Sequence, residues 1–329
     1  MFTSDNKIKF DHIALEDGLS QIVVECLTQD YQGFMWFGTQ DGLNRYDGYK
    51  FVVYRNNVSD KNSLSNNYIN CLYEDSDKVL WIGTLGGGLN RYDREKDNFS
   101  SFRHDPNNSD SISGNKIRTI FEDYTGDLWI GTSLCGLNKF IKKENRFVHY
   151  VNEPGNEFSI GARSIRSVYE DKEKKLWIGT WDHGIKKYDR EKDRFICYKN
   201  KVNTTDNINA NRINSMFEDS KGVFWVSGND GIQVLDKENK TFKEFRHDIN
   251  NPKSLSNNYV SQVFEDSMNN IWVGTKDGGL NKYIPGTNEF IHYRHDTKDA
   301  HSLSFDSVKS VYEDRSGICL LYTSDAADE

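Results

Sequence analysis

The sequence predicts an all-β fold, a seven-bladed β-propeller with four-stranded antiparallel blades. Three observations predict it: a repeat period in the forties, one tryptophan per repeat, and four strand-like runs within each repeat. Trp36, Trp81, Trp129, Trp177, Trp225 and Trp272 follow one another at intervals of 45, 48, 48, 48 and 47 residues, a period typical of repeated supersecondary units. In the fourth unit the runs are Ser164 to Tyr169, Leu176 to Thr180, Ile185 to Tyr188 and Phe195 to Tyr198, separated by short polar turns. Runs of that length and spacing are hairpins. Helical repeats would need apolar residues at i, i+3, i+4 and i+7 over a dozen positions, and no unit supplies them.

Each element has its reason in the residues. Lys7 to Ile13 matches the last strand of later units, such as Arg146 to Tyr150 and Glu289 to Tyr293, so the chain opens on an outer strand. A loop then recurs seven times, from Gly18-Leu19-Ser20 and Ser63-Leu64-Ser65 through Asn207-Ile208-Asn209 to Ser302-Leu303-Ser304, and so counts seven units. An acidic pair or its stand-in precedes each tryptophan by six or seven residues (Gln29-Asp30, Glu74-Asp75, Glu122-Asp123, Glu170-Asp171, Glu218-Asp219, Glu265-Asp266), with a tight turn between. Tryptophan on the second strand is expected to wedge between blades, burying roughly 150 to 250 Å², on the order of 4 to 6 kcal/mol before entropy is subtracted. Gly-Thr follows it (Gly38-Thr39, Gly83-Thr84, Gly131-Thr132, Gly179-Thr180, Gly274-Thr275), where a Cβ would crowd the inner strand; the fifth blade departs, with Ser227-Gly228. Cys71, Thr119, Ser167 and Ser215 are expected to stay small because inner strands converge on the axis.

The expected organisation is a propeller over residues 1–318, with six full blades over about 14–299, a partial seventh over 300–318, and the N-terminal strand 7–13 closing the ring. After Ile318 the repeat calls for Leu-Trp-Ile-Gly-Thr, and the chain reads Cys319-Leu320-Leu321-Tyr322-Thr323-Ser324 instead. Residues 319–329 resemble an in-frame translation of a sequencing-library transposase adapter and are expected to be non-native. Two strands are thus expected to be missing between the inner and outer strands of the seventh blade, leaving the N-terminal strand without a ladder partner.

Composition excludes several classes. A net charge of −8 with interspersed signs argues against nucleic acid, which selects a basic face. No window of eighteen apolar residues and no basic-then-apolar leader occurs, so the supplied chain is expected to be soluble. The five cysteines form no C-x-x-C pair. Cys26 and Cys71, at one position of neighbouring repeats, read as small strand residues, and neither a metal nor a cofactor is expected.

The run Trp36-Phe37-Gly38-Thr39-Gln40-Asp41-Gly42-Leu43-Asn44-Arg45-Tyr46-Asp47, with copies through Leu280-Asn281-Lys282-Tyr283, resembles the two-component regulator propeller repeats. The resemblance covers residues 7 to about 318. It implies the extracytoplasmic sensor region of a hybrid two-component or related membrane-bound signalling protein. Such a propeller is commonly followed by a second propeller, a β-sandwich domain, a membrane helix and an output module, a histidine kinase or diguanylate cyclase. In gut bacteroidetes such sensors often recognise oligosaccharides. The implied partners are a small polar ligand, the downstream domains of the same chain, and a second copy in the full-length protein. The resemblance carries no ligand-contact signature to transfer, so sites are read from position.

An enzyme fits poorly. Glycan-cleaving propellers would show Asp-box turns with Asp five before Trp, and here it lies six before. Three histidines, His12, His149 and His292, share one outer-strand position, and His104, His247 and His295 share another, which points to a role in the fold. A lyase or lactonase metal would need converging ligands on inner strands, which carry Glu25, Asn70, Arg118, Arg166, Asn214, Ser261 and Lys309, a poor cage. That variable register is the ligand-binding candidate: Glu25, Asn70, Arg118, Arg166, Asn214 and Lys309 near the start of the inner strand, with Trp181, the one tryptophan off the repeat, able to stack on a sugar. The loops entering the inner strands, 56–67, 105–115, 152–163 and 200–211, share that face. The expected function is a non-enzymatic sensor of a carbohydrate or other small polar ligand. A docking scaffold is the alternative, and a glycan-acting hydrolase or lyase is a more distant one.

Overall fold

A computed structural model of the chain describes residues 8–13, 15–198, 212–237 and 241–324. In it the runs of each unit pair consecutively into six four-stranded antiparallel sheets, blades 1 to 6, at residues 24–54, 69–102, 117–150, 165–198, 213–245 and 260–293. Blade 4 runs outward through Ile165–Glu170, Leu176–Thr180, Ile185–Asp189 and Arg194–Tyr198, each end within one residue of the expected strand. The first strands of successive blades lie side by side about an axis. A two-stranded sheet, Ser307–Glu313 with Cys319–Ser324, touches the first strands of blades 6 and 1 and closes that ring.

The tail differs from expectation. Cys319–Ser324 is a strand, with Leu321 opposite Val311 and Tyr322 opposite Ser310. Its apolar side chains drive the pairing: Tyr322 packs with Leu19, Val23, Val24, Met35 and Phe37 of blade 1, and Leu321 lies against the cluster of Trp272 and Val311. Residues 325–329 and Lys7 lie outside the described residues. Ile8 to Ile13 forms no ladder strand, yet it is tied as outer strands are. The Phe10 amide donates to His301 O at 3.0 Å, as Phe147 does to Asp110 O at 3.0 Å, and His12 Nε2 bonds Ser302 O as His149 Nε2 bonds Ser111 O. Ile8 and Phe10 pack on the cluster around Trp272 and Leu303.

The core is a series of clusters at the blade interfaces, each built on a tryptophan. Trp129 of blade 3 is fully buried with Ile160, Ile165, Leu176 and Ile178 of blade 4. The glycine two residues on lets the sheets meet: a Cβ on Gly179 would come within 2.7 Å of Ile213 of the next blade, and one on Gly83 within 2.4 Å of Cys71 Sγ. The small residues opposite these glycines, Cys71 and Ser167, lie in the space a Cβ would take. Threonine after the glycine closes the next turn, Thr180 Oγ1 donating to Gly184 O at 2.8 Å.

The recurrent loops are apolar plugs. Leu64, Ile112, Ile160, Leu255 and Leu303 are buried, and a buried third-strand asparagine holds the serine that follows, as Asn138 Oδ1 accepts from the Ser113 amide at 2.8 Å. The copy Asn207-Ile208-Asn209 lies outside the described residues.

The six-residue spacing of Asp and Trp has a physical cause. Asp171 Oδ1 accepts the amides of Glu173 and Lys175 at 3.0 and 2.9 Å, shaping the turn, and Oδ2 accepts Trp177 Nε1–H at 2.8 Å. The same indole bond recurs at Asp30, Asp75, Asp123, Asp219 and Asp266. Four of these aspartates also share a cation with the glutamate of the next blade. Arg94 joins Asp30 and Glu74, Lys142 joins Asp75 and Glu122, Arg190 joins Asp123 and Glu170, and Lys237 joins Asp171 and Glu218, at 2.6 to 3.1 Å.

These clasps give stability a pH dependence. Burial alone raises the carboxyls of Asp123 and Asp171, but the indole, turn donors and cations outweigh it and hold both below the usual range. A depressed carboxyl contributes stability above its unfolded pKa, about 3.9, and loses it as pH falls through the folded value. Glu170, which burial pushes up despite Arg190, works in the opposite sense and offsets a part. The melting midpoint should be nearly flat between about pH 5 and 8 and should fall steeply below about pH 4. A midpoint unchanged to pH 3 in thermal scans would contradict the clasp.

Candidate functional site

Every inner strand skips one residue in its pairing with the second strand, and the skipped residues are Glu25, Asn70, Arg118, Arg166, Asn214, Ser261 and Lys309. A β-bulge re-aims the side chain it carries. The register read as variable in the sequence is therefore a ring of bulges, and its members meet residues of distant blades. Arg166 of blade 4 feels the charges of Arg118 of blade 3 and Arg212 of blade 5 and lies near the Tyr259 phenol at the entry to blade 6. The inner strands that carry these residues adjoin one another around the axis.

The site has a cationic half. Arg166 Cζ sits 3.9 Å from the centre of the Trp181 ring and Arg212 Cζ 4.6 Å from it, contacts worth about 0.5 to 2 kcal/mol each. Burial pushes the Arg166 guanidinium down to about 10, with Arg118 and Arg212 adding to the shift. The group stays charged at neutral pH. Among the described residues no carboxylate lies within salt-bridge distance of Arg118, Arg166 or Arg212, whereas Arg94 and Arg190 on the opposite face each hold two. Beside this half, Glu25 Oε1 accepts from Tyr68 Oη at 2.8 Å and Gln40 Nε2 at 2.9 Å. Burial first, then Glu25, raises the Tyr68 phenol, while Arg118 pulls it down, which places Tyr68 between the two charges.

Some ring members also bond the neighbouring inner strand. Asn70 Nδ2 donates to Arg118 O at 3.2 Å, Asn214 Nδ2 to Val260 O at 2.8 Å, and Ser261 Oγ to Val308 O. These three stitch each inner strand to the next. Lys309 stands on the bulge of the two-stranded sheet. Arg212, Tyr68 and Tyr259 are additional mouth residues that the sequence reading passed over. They directly precede the inner strand, while Gln40, Trp181, Asn229 and Lys276 directly follow the Gly-Thr position, so three adjacent registers build the mouth. The entry loop 200–211 lies outside the described residues.

The remaining reactive groups have structural partners. His104, His247 and His295 bond the buried plug carbonyls of Ile112, Leu255 and Leu303 through Nδ1. His12, His149 and His292 bond the serine carbonyl one residue earlier through Nε2. Burial raises the thiols of Cys26 and Cys71, the latter to about 12, so neither is a ready thiolate. Among the described residues, Asp75, Asp77 and Glu122 are the one acidic group close enough to hold a metal ion, and Lys142 Nζ sits among them at 3.1, 2.8 and 2.6 Å.

A rigid propeller with a variable, bulge-presented mouth defines the class of the protein. Six segments, residues 18–41, 63–86, 111–133, 159–182, 207–230 and 254–277, match the two component regulator propeller, and the chain is built of these repeats. It is similar to the extracellular domain of the hybrid two component system BT3049 from B. thetaiotaomicron, at 25% identity and TM-score 0.82, over 96% of this chain and 40% of that one. The extracellular domain of the one component system BT4673 from the same organism matches at 25% identity and TM-score 0.54, over 91% and 40%. A 49-residue stretch is 53% identical to histidine kinase P4 of Formosa agariphila, covering 15% of this chain and 4% of that protein. The chain thus spans well under half the length of these relatives. Among its described residues no helix is long and apolar enough to cross a membrane.

The two kinds of tryptophan should respond differently to removal. Trp129→Ala deletes a fully buried interface ring and should cost about 3 to 5 kcal/mol. Trp181→Ala removes a half-exposed ring held by arginines and should cost under about 1 kcal/mol. Urea melts distinguish them, and equal losses would mean that Trp181 belongs to the core.

Proposed function

We propose that this propeller is the ligand-reading part of an extracytoplasmic, membrane-anchored two-component-type receptor, and that it acts by binding and not by catalysis. The observation that carries the proposal is the stacking of Arg166 and Arg212 on Trp181, with Arg118 near enough to Arg166 to repel its charge and no carboxylate in salt-bridge range among the described residues. Partly buried cations without counter-ions disfavour one another, and an anionic or strongly polar ligand relieves that repulsion. Stacked guanidinium groups also fit planar, bidentate recognition of carboxylate. The ligand is a carbohydrate, best one bearing acidic groups, or another small polar molecule, held by Arg118, Arg166, Arg212, Trp181 and Glu25 with Tyr68 and Tyr259 at the rim. No cofactor is required. Similarity to extracellular domains of two-component systems supports the placement outside the cytoplasm.

The two-stranded sheet with the Ile8 to Ile13 segment is read as a seventh blade in part: inner strand, substitute second strand, and outer strand. The signal passes to downstream domains of the full-length protein, with a second copy as a further partner.

Titration of the purified chain with a panel of neutral and uronate-containing oligosaccharides, followed by tryptophan fluorescence, tests the site. Saturable binding by an acidic member should be abolished in Arg118→Ala/Arg166→Ala. The melting midpoint of that variant should stay within a few degrees or rise, because like-charge repulsion is removed. Unchanged affinity in the double variant would move the site elsewhere, and no binding at all would favour a docking scaffold.

A further inference from the structure

The clasp that recurs at four blade interfaces lacks its cation at the fifth. Blade 5 offers Asp219, 4% exposed, with Oδ2 accepting Trp225 Nε1–H at 3.0 Å. Blade 6 offers Glu265, whose two oxygens accept the Ser220 amide and hydroxyl at 2.7 Å. Glu122 is held in the same way by Ser76 and also receives Lys142. The position that supplies Arg94, Lys142, Arg190 and Lys237 is Pro285 in blade 6, as the alignment of Tyr92-Asp93-Arg94 with Tyr283-Ile284-Pro285 shows. Tyr283 Oη bonds Asn288 as Tyr92 Oη bonds Asp97, which fixes that alignment in space. Proline has no charge and no reach.

The place is open. A cavity of about 200 Å³ lies between Asp219 and Glu265, walled by Trp225, Val234, Ile271, Tyr283 and Pro285. It is smaller than a typical small-molecule site, about 300 Å³ and up, and close to the size of one long side chain. Lys243, on its rim, is engaged with Asn288 at 2.6 Å. Lys221 also borders it, and among the described residues no ion pair joins a lysine or arginine to Asp219 or Glu265. At two of the filled interfaces the cation additionally lies over an aromatic ring, Arg94 over Tyr31 at 4.9 Å and Arg190 over Tyr124 at 4.7 Å. In blade 1 the loss of the cation goes with loss of the acid, Gly48 standing at the cation position and Gln29 in place of the glutamate, whereas Asp266 and Glu313 keep both acids with no ion pair to either among the described residues.

We infer that the blade 5–blade 6 cavity binds an ammonium or guanidinium group on an alkyl stem, the cation bridging Asp219 and Glu265 and the stem lying on the apolar wall. Two sources share that chemistry, a free alkyl cation and the side chain of a basic peptide. The mouth arginines play no part in it, so it stands or falls independently of ligand sensing there.

Thermal melts and fluorescence titrations of the chain with n-butylguanidinium chloride test the site, against sodium chloride at equal ionic strength. Saturable binding with half-saturation on the order of 1 mM is expected, with a raised melting midpoint. Glu265→Gln should weaken it at least tenfold. Pro285→Arg should supply the cation internally, raising the midpoint in the absence of ligand and removing the response. Lys221→Ala should leave the response intact or strengthen it by removing a like charge. Binding of capped arginine amide as well as butylguanidinium would assign the source as a peptide side chain, and binding of butylguanidinium alone a free cation. A response no larger than that to sodium chloride in both the wild type and Lys221→Ala, or an undiminished one in Glu265→Gln, would overturn the inference.

Discussion

The hydrogen bond from a buried indole N–H to an aspartate six residues earlier is the contact on which the scaffold depends. A tryptophan large enough to fill a blade interface brings a donor with it, and a buried donor without an acceptor costs about 1 to 3 kcal/mol. Asp171 resolves this by facing two ways, its first oxygen shaping the turn and its second taking the indole. The carboxylate then needs a counter-charge, and Lys237 of the next blade brings it together with Glu218. One chain of necessity thus links the turn, the core ring and the neighbouring blade. One interface that breaks the chain, at Pro285, is also where a side-chain-sized cavity opens.

A scaffold fixed in this way frees the opposite ends of the inner strands. Each carries a bulge, and the bulged residue is the one whose identity varies from blade to blade, from Glu25 through Arg118 and Arg166 to Ser261. The protein is acidic overall, at −8, yet its mouth gathers three guanidinium groups with no acid in salt-bridge range among the described residues. Local field and net charge therefore have opposite signs.

Much of this was legible in the sequence. The tryptophan period gave the blades, Gly-Thr gave the close approach of sheets, and the recurring histidines gave a role in the fold, which the plug carbonyls explain. What was not legible depends on partners in another blade. Arg94 and Arg190 recur visibly, but their second acid, Asp30 or Asp123, lies 64 or 67 residues away. Asn70 and Asn214 look like free mouth residues until the neighbouring strand supplies the carbonyl they bond. Arg212 and Tyr259 lie one register before the inner strand, and only the fold brings that register beside the variable one. The tail was read as replacing two strands, and the structure pairs it as one, since Leu321 and Tyr322 supply enough apolar surface to cover blade 1 and the Trp272 cluster.

A double-mutant cycle on Asp123→Asn and Arg190→Met, read by urea denaturation, tests the clasp most directly. Asparagine has one acceptor oxygen to divide between the turn and Trp129, a cost common to both variants that carry it, so the coupling energy of the cycle isolates the bond between blades. Breaking a buried pair from one side is expected to cost about 3 to 5 kcal/mol, and the two changes should be non-additive by about 1.5 kcal/mol or more. Additivity within about 0.5 kcal/mol, the behaviour of independent sites, would contradict the claim that the aspartate and its cation lock one blade to the next.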